Sequence, residues 1–174
     1  MITFRDLVAS LVALALVVGA LSLATTLTVY RKRRRRTRDA EQALGRRVVA
    51  EIPGDDDLRL FTEDDRQFHY GSESVDKARI AAVRVLINGA PIAVYVSRRH
   101  AAAAAAIQPT SFEDRPEGIA RDRWDVAIER PDGTMIVECG AIRERVSQEL
   151  ARAVFDAVKN DLERRDKAEL RADG

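Results

Sequence analysis

Side chains able to do chemistry are few and far apart in this 174-residue chain. The single cysteine, Cys139, ends an apolar strand-like run with neither His69 nor His100 near it in sequence. A buried thiol is the expectation, since a Cys-His nucleophile would need a spatial coincidence. One cysteine also excludes an internal disulfide and any multi-cysteine metal site, and two distant histidines have no metal-ligand spacing. The acidic runs Asp55-Asp56-Asp57 and Glu63-Asp64-Asp65 lack the alternating ligands, central glycine and closing glutamate of a calcium loop, and read as solvated turns. A further role for them would be to face the basic arm or a basic partner surface. Gly71-Ser72-Glu73-Ser74 lacks the closing glycine of a nucleophile elbow. Neither G-x-G-x-x-G nor G-x-x-x-x-G-K-[ST] occurs, so no glycine-rich phosphate cradle is encoded. The expectation is a protein that is not an enzyme, with no metal and no cofactor.

The formal net charge of +1, from 29 Lys+Arg and 28 Asp+Glu, conceals a sharp division along the chain. Residues 1–36 hold 7 basic groups and 1 acidic group, which leaves 22 basic and 27 acidic groups for the rest. The division coincides with a change in hydropathy. Leu7 to Tyr30 carries no charged residue for 24 positions, about 36 Å of α-helix, which is enough to span a bilayer with tilt. The run is too long for a cleaved secretory signal, and its basic cluster lies on the wrong side. Arg31 to Arg38, RKRRRRTR, follows the run directly. By the positive-inside rule this predicts a single-pass bacterial inner (cytoplasmic) membrane protein with its N-terminus outside and its C-terminal domain cytoplasmic. Arg31, Lys32, Arg33, Arg34, Arg35 and Arg36 are then a headgroup anchor, each worth about 1 kcal/mol near anionic lipid. The same run could contact phosphates, but its position beside an apolar span and the acidic body favour lipid and argue against nucleic acid.

Within the span, Ala15, Gly19, Ser22 and Thr26 lie on one helical stripe, suited to close packing against a partner helix. That partner is a second copy of the chain, making a homo-oligomer, or another membrane subunit. Arg outnumbers Lys 25 to 4, a bias typical of GC-rich coding and consistent with a bacterial source.

The predicted organisation is 1–36 anchor and basic arm, 37–45 helical extension ending at Gly45, and 46–174 cytoplasmic domain. Residues 46–52 and 58–62 read as a strand pair around Pro53-Gly54 and the acidic turn. The polar stretch 63–78 reads as a loop or short weak element. Residues 79–97 read as a hairpin about Asn88-Gly89, a type I′ turn signal. Ala101 to Ala106 reads as a short helix, 108–122 as loop, and 123–139 as a second hairpin about Pro131-Asp132-Gly133. From Ala141 to about Leu170 the apolar residues Ile142, Val146, Leu150, Val154, Val158 and Leu162 recur every fourth position, predicting a long amphipathic helix whose charged end, from Glu163, protrudes or frays. The fold class expected is α+β: a single transmembrane helix, then one antiparallel sheet of about five or six strands with the C-terminal helix on one face.

These features suggest a non-catalytic accessory or assembly subunit of a bacterial inner-membrane complex, with photosynthetic or respiratory complexes the usual hosts by analogy. The competing classes are a self-associating scaffold or adaptor that recruits a soluble partner, and an enzyme or small-ligand sensor with a pocket between sheet and helix.

Overall fold

The computed structural model describes residues 14, 16–19, 22, 32, 34–54, 58–100, 123–141 and 143–172. Most of the 7–30 run lies outside them, as do Asp55-Asp56-Asp57, the alanine run 101–106 and the 108–122 segment. The chain divides into two compact units, Met1–Ala43 and Leu44–Gly174.

In the first unit the described residues are helical, and 34–43 form α1, followed by a turn in which Gly45 adopts φ +74°. That left-handed stop is where the sequence placed it. Among the described residues no helix is long and apolar enough to cross a membrane.

The second unit is α+β, with two antiparallel sheets and a C-terminal helix. β1 (Arg47–Pro53), β2 (Leu58–Glu63), β3 (Gln67–Tyr70) and β4 (Glu73–Asp76) form a meander in sequence order. β5 (Ala82–Ile87), β6 (Ala90–Val96), β7 (Arg123–Arg130) and β8 (Gly133–Ala141) form the second sheet in the order β6-β5-β7-β8. The helix α2 (Arg145–Ala172) closes the domain. A single expected sheet is therefore two sheets of four strands.

The difference arises at 63–78, which is not a loop but carries the β3–β4 hairpin. Phe68, Tyr70 and Val75 alternate inward as strand residues should, but His69 between the aromatics masked the period because it too is buried. Gly71, at φ +58°, supplies the left-handed turn between the two strands. The β5–β6 hairpin turns at Asn88 and Gly89, both at positive φ, as a type I′ turn requires.

One core joins both sheets and α2. Phe61 and Phe68 stack with ring centroids 5.6 Å apart, and Val83, Val126, Ile128, Met135 and Val137 meet Ala151, Val154, Val158 and Leu162. The helix starts later than its sequence pattern suggested, because β8 runs through to Ala141. Val146 is consequently exposed, and Ser147 takes the buried position.

The far end of α2 meets expectation in part, since Lys167 to Arg171 are exposed as a protruding turn would be. Beyond Glu163 the helix continues to Ala172, and Asp166 is buried. The buried stripe simply carries on past Val158 through Asp161 and Leu162 to Asp166 at helical spacing.

Candidate functional site

Two sets of buried charges and one exposed sheet face stand out in the second unit. The first set centres on Lys77, in the 3-10 turn Lys77–Arg79 that leads from β4 to β5. Only 4% exposed, its ammonium lies 3.0 Å from Glu63 Oε2 on β2 and 3.9 Å from Asp161 Oδ1 on α2. It also sits 4.6 Å from the centre of the Phe68 ring, whose π face attracts a cation. Arg47 Nε donates to Glu63 at 2.9 Å, and Arg165 approaches Asp161 at 2.7 Å. Burial pushes the Glu63 carboxyl up, but Lys77 and Arg47 outweigh it and the net shift is downward. A line of alternating charge thus runs from β1 through the 3-10 turn to the helix.

The second set is Asp166, whose carboxylate accepts from Ser97 Oγ at 2.8 Å, Tyr95 Oη at 3.1 Å and the Arg98 N–H at 3.2 Å. It fastens the end of α2 to the end of β6. Exposed helix charges pair among themselves, as in Arg145–Glu149, Arg152–Asp156 and Lys159–Glu163, each at i,i+4 spacing.

Asp64 and His69 form a smaller unit. Asp64 Oδ1 accepts the N–H groups of Arg66 and Gln67, both at 2.7 Å, and its Oδ2 lies 2.7 Å from His69 Nε2. The His69 hydrogen bond, followed by those two N–H groups against slight burial, takes the Asp64 carboxyl from 3.8 down to about 2. The unfolded chain therefore binds this proton more readily than the folded one. The stability that Asp64 contributes is complete above about pH 4 and is lost as pH falls through about 2. Urea midpoints measured across this window should fall more steeply for the wild type than for Asp64→Asn; parallel curves would mean that the pair contributes nothing.

Within the second acidic run Glu63 pairs with Lys77 and Arg47 and Asp64 is hydrogen-bonded to His69, while Asp65 is exposed. Cys139 is buried, its thiol pushed up to about 12 by burial and then by Asp125. His100 meets the Ala78 carbonyl at 3.3 Å. Among the described residues no three His, Cys, Asp or Glu side chains are grouped to hold a metal ion.

The face of the second sheet away from α2 is of another kind. Pairing register places Val94, Arg84, Ala127 and Ile136 in one cross-strand row, and Val96, Ala82, Glu129 and Thr134 in the next. Arg84 and Glu129 close an ion pair at 2.6 Å and are largely buried between the rows. Val94, Val96 and Ile136 remain 46%, 37% and 40% exposed, and Ile92 beside them 55%. An apolar surface borders the edge strand β6.

Of the residues singled out for helix packing, Gly19 and Ser22 are helical and exposed, and a Cβ at Gly19 would meet nothing within 4 Å. Ala15 and Thr26 lie outside the described residues, as do Arg31 and Arg33 of the basic arm. Lys32, Arg34, Arg35 and Arg36 are helical and exposed. Sequence reasoning missed Lys77, Asp161 and Asp166. For the last two a signal existed, since both fall on the apolar stripe of α2, where an ionisable residue must find a partner. No protein-family model matches the chain, and no curated protein or solved structure shows significant similarity to it.

Proposed function

We propose that this chain is a non-catalytic accessory or assembly subunit of a bacterial inner-membrane complex, of the photosynthetic or respiratory energy-transducing kind. It is anchored by one helix over residues 7–30 and docks through that helix and its cytoplasmic domain. The observation that carries this reading is the 24-residue uncharged run followed at once by seven basic residues. Support comes from the described part of the run, where Leu14, Leu16, Val17 and Val18 are helical and each more than half exposed. Such a surface suits lipid or a partner helix and not water. Further support comes from the domain, whose half-buried Glu63 and buried Lys77, Asp161 and Asp166 all fasten one element to another, while Ile92, Val94, Val96 and Ile136 of the second sheet stay partly exposed.

The test is to tag the C-terminus, extract native membranes gently, identify the co-purifying chains by mass spectrometry and record the absorption spectrum. Stoichiometric recovery with membrane subunits and bound pigment or haem is expected. Recovery alone, or with one soluble protein, would overturn the accessory-subunit reading and favour the adaptor.

A further inference from the structure

The helix α1 has little of what usually stabilises a helix. Its sequence, RRRTRDAEQA, contains no large apolar residue, and residues 34–40 are all exposed. A helix that is polar on every side depends on pairs of opposite charge or on what it meets outside. Its acids, Asp39 and Glu41, lie toward the C-terminal end, where the helix dipole disfavours them.

The cations, by contrast, crowd together. Lys32 and Arg36 are one helical turn apart, and so are Arg34 and Arg38, and all four are helical and exposed. Like charges at this i,i+4 spacing destabilise a helix. The two pairs are offset by two residues, about 200° around the axis, so they lie on opposite sides. Across 31–43 seven basic residues stand against two carboxylates.

An anion seated between the members of each pair turns this repulsion into attraction. Its source follows from position. The arm adjoins the uncharged run 7–30, so in a bilayer its cations lie at the level of the lipid phosphates. A guanidinium offers five N–H donors, so a contact within the chain, which Arg34 and Arg38 both make, still leaves donors for a phosphate.

We propose that the Lys32/Arg36 and Arg34/Arg38 pairs each bind the phosphate of an anionic phospholipid, one on either side, and that these lipids hold α1 helical down to Gly45. The arm is then more than an anchor. The lipid charge around it decides whether a rigid helix or a frayed segment joins the membrane to the body. This inference rests on the reading that residues 7–30 cross the membrane.

The test places the full-length chain in nanodiscs of phosphatidylcholine, alone or with phosphatidylglycerol added. Both faces of a disc are accessible, so the direction of insertion does not matter. Hydrogen exchange over residues 34–43 is expected to be at least about fivefold slower with phosphatidylglycerol, and the difference should shrink at high salt. Native mass spectrometry should find about two phosphatidylglycerol molecules retained per chain, and about one for Lys32→Gln/Arg36→Gln. Replacing all four cations by glutamine, whose helix propensity is close to theirs, gives the sharper readout. In phosphatidylcholine this variant should exchange more slowly than wild type, because the repulsion is gone. With phosphatidylglycerol it should exchange faster than wild type, because no phosphate holds it. Fast exchange across residues 7–30 in both discs would refute the membrane span itself, and this proposal with it. With 7–30 protected, equal exchange of α1 in the two disc types overturns the proposal alone, as does a glutamine variant that responds to phosphatidylglycerol as wild type does. Protection of α1 in native membranes that phosphatidylglycerol discs do not reproduce would also overturn it, and would assign the arm to an acidic protein.

Discussion

Replacing Asp166 by alanine is expected to lower the unfolding free energy by about 3–5 kcal/mol, read as a shift in the urea midpoint of the full-length chain. The carboxylate accepts three hydrogen bonds, and two of the donors cannot turn easily to water. Ser97 is buried to 1% exposure, and the Arg98 N–H belongs to the backbone beside it. Deleting the acceptor therefore removes charge-assisted bonds and strands their donors as well. Asp166→Asn should cost less, about 1–2 kcal/mol, because an amide oxygen still accepts part of the set. A second readout is spectroscopic. Burial first, and the Asp166 carboxylate next, hold the Tyr95 phenol above its ordinary value of 10.0. Ultraviolet titration of Asp166→Ala should bring that phenol down toward the ordinary value. A variant within about 0.5 kcal/mol of wild type, with an unchanged phenol titration, would show that the clasp does not hold α2 to β6.

Lys77 leads to the second large effect. Lys77→Ala is expected to cost about 3–4 kcal/mol, since it opens a gap over the Phe68 ring and removes the cation shared by Glu63 and Asp161. Lys77→Met should cost only about 1 kcal/mol. Its apolar stem fills nearly the same space, and each carboxylate keeps an arginine, Arg47 for Glu63 and Arg165 for Asp161. Chemical denaturation of the two variants side by side decides the matter. If methionine is as damaging as alanine, the stability resides in the buried charge and not in the packing of its stem.

The elements legible in the sequence were those whose local chemistry and tertiary role agree. Asn88-Gly89 fixes its hairpin by backbone conformation alone, and Gly45 stops α1 for the same reason. The amphipathic stripe from Leu150 to Leu162 had enough period to be read without partners. The β3–β4 hairpin was illegible because a buried histidine broke the apolar alternation, and the partner that makes its burial tolerable, Asp64, lies five residues away in a turn. The end of α2 was misjudged for a related reason. A helix turn containing Arg164, Arg165, Asp166 and Lys167 looks fully solvated until one knows that Ser97, Tyr95 and Arg98 converge on the aspartate from about 70 residues upstream. Local pattern reports hydropathy, whereas burial of a charge is decided by contacts distant in sequence.

The Asp166 clasp bears on the order in which the molecule is made. A ribosome delivers the apolar run and basic arm first and the helix that completes the core last, at about 5–20 residues per second. Until residue 166 has left the exit tunnel, Ser97 and the end of β6 lack the acceptor that fixes them, and both sheets lack the helix face that covers them. Membrane targeting, if directed by the first 36 residues, can therefore begin several seconds before the body is able to close. The domain would then reach its final structure already confined to two dimensions.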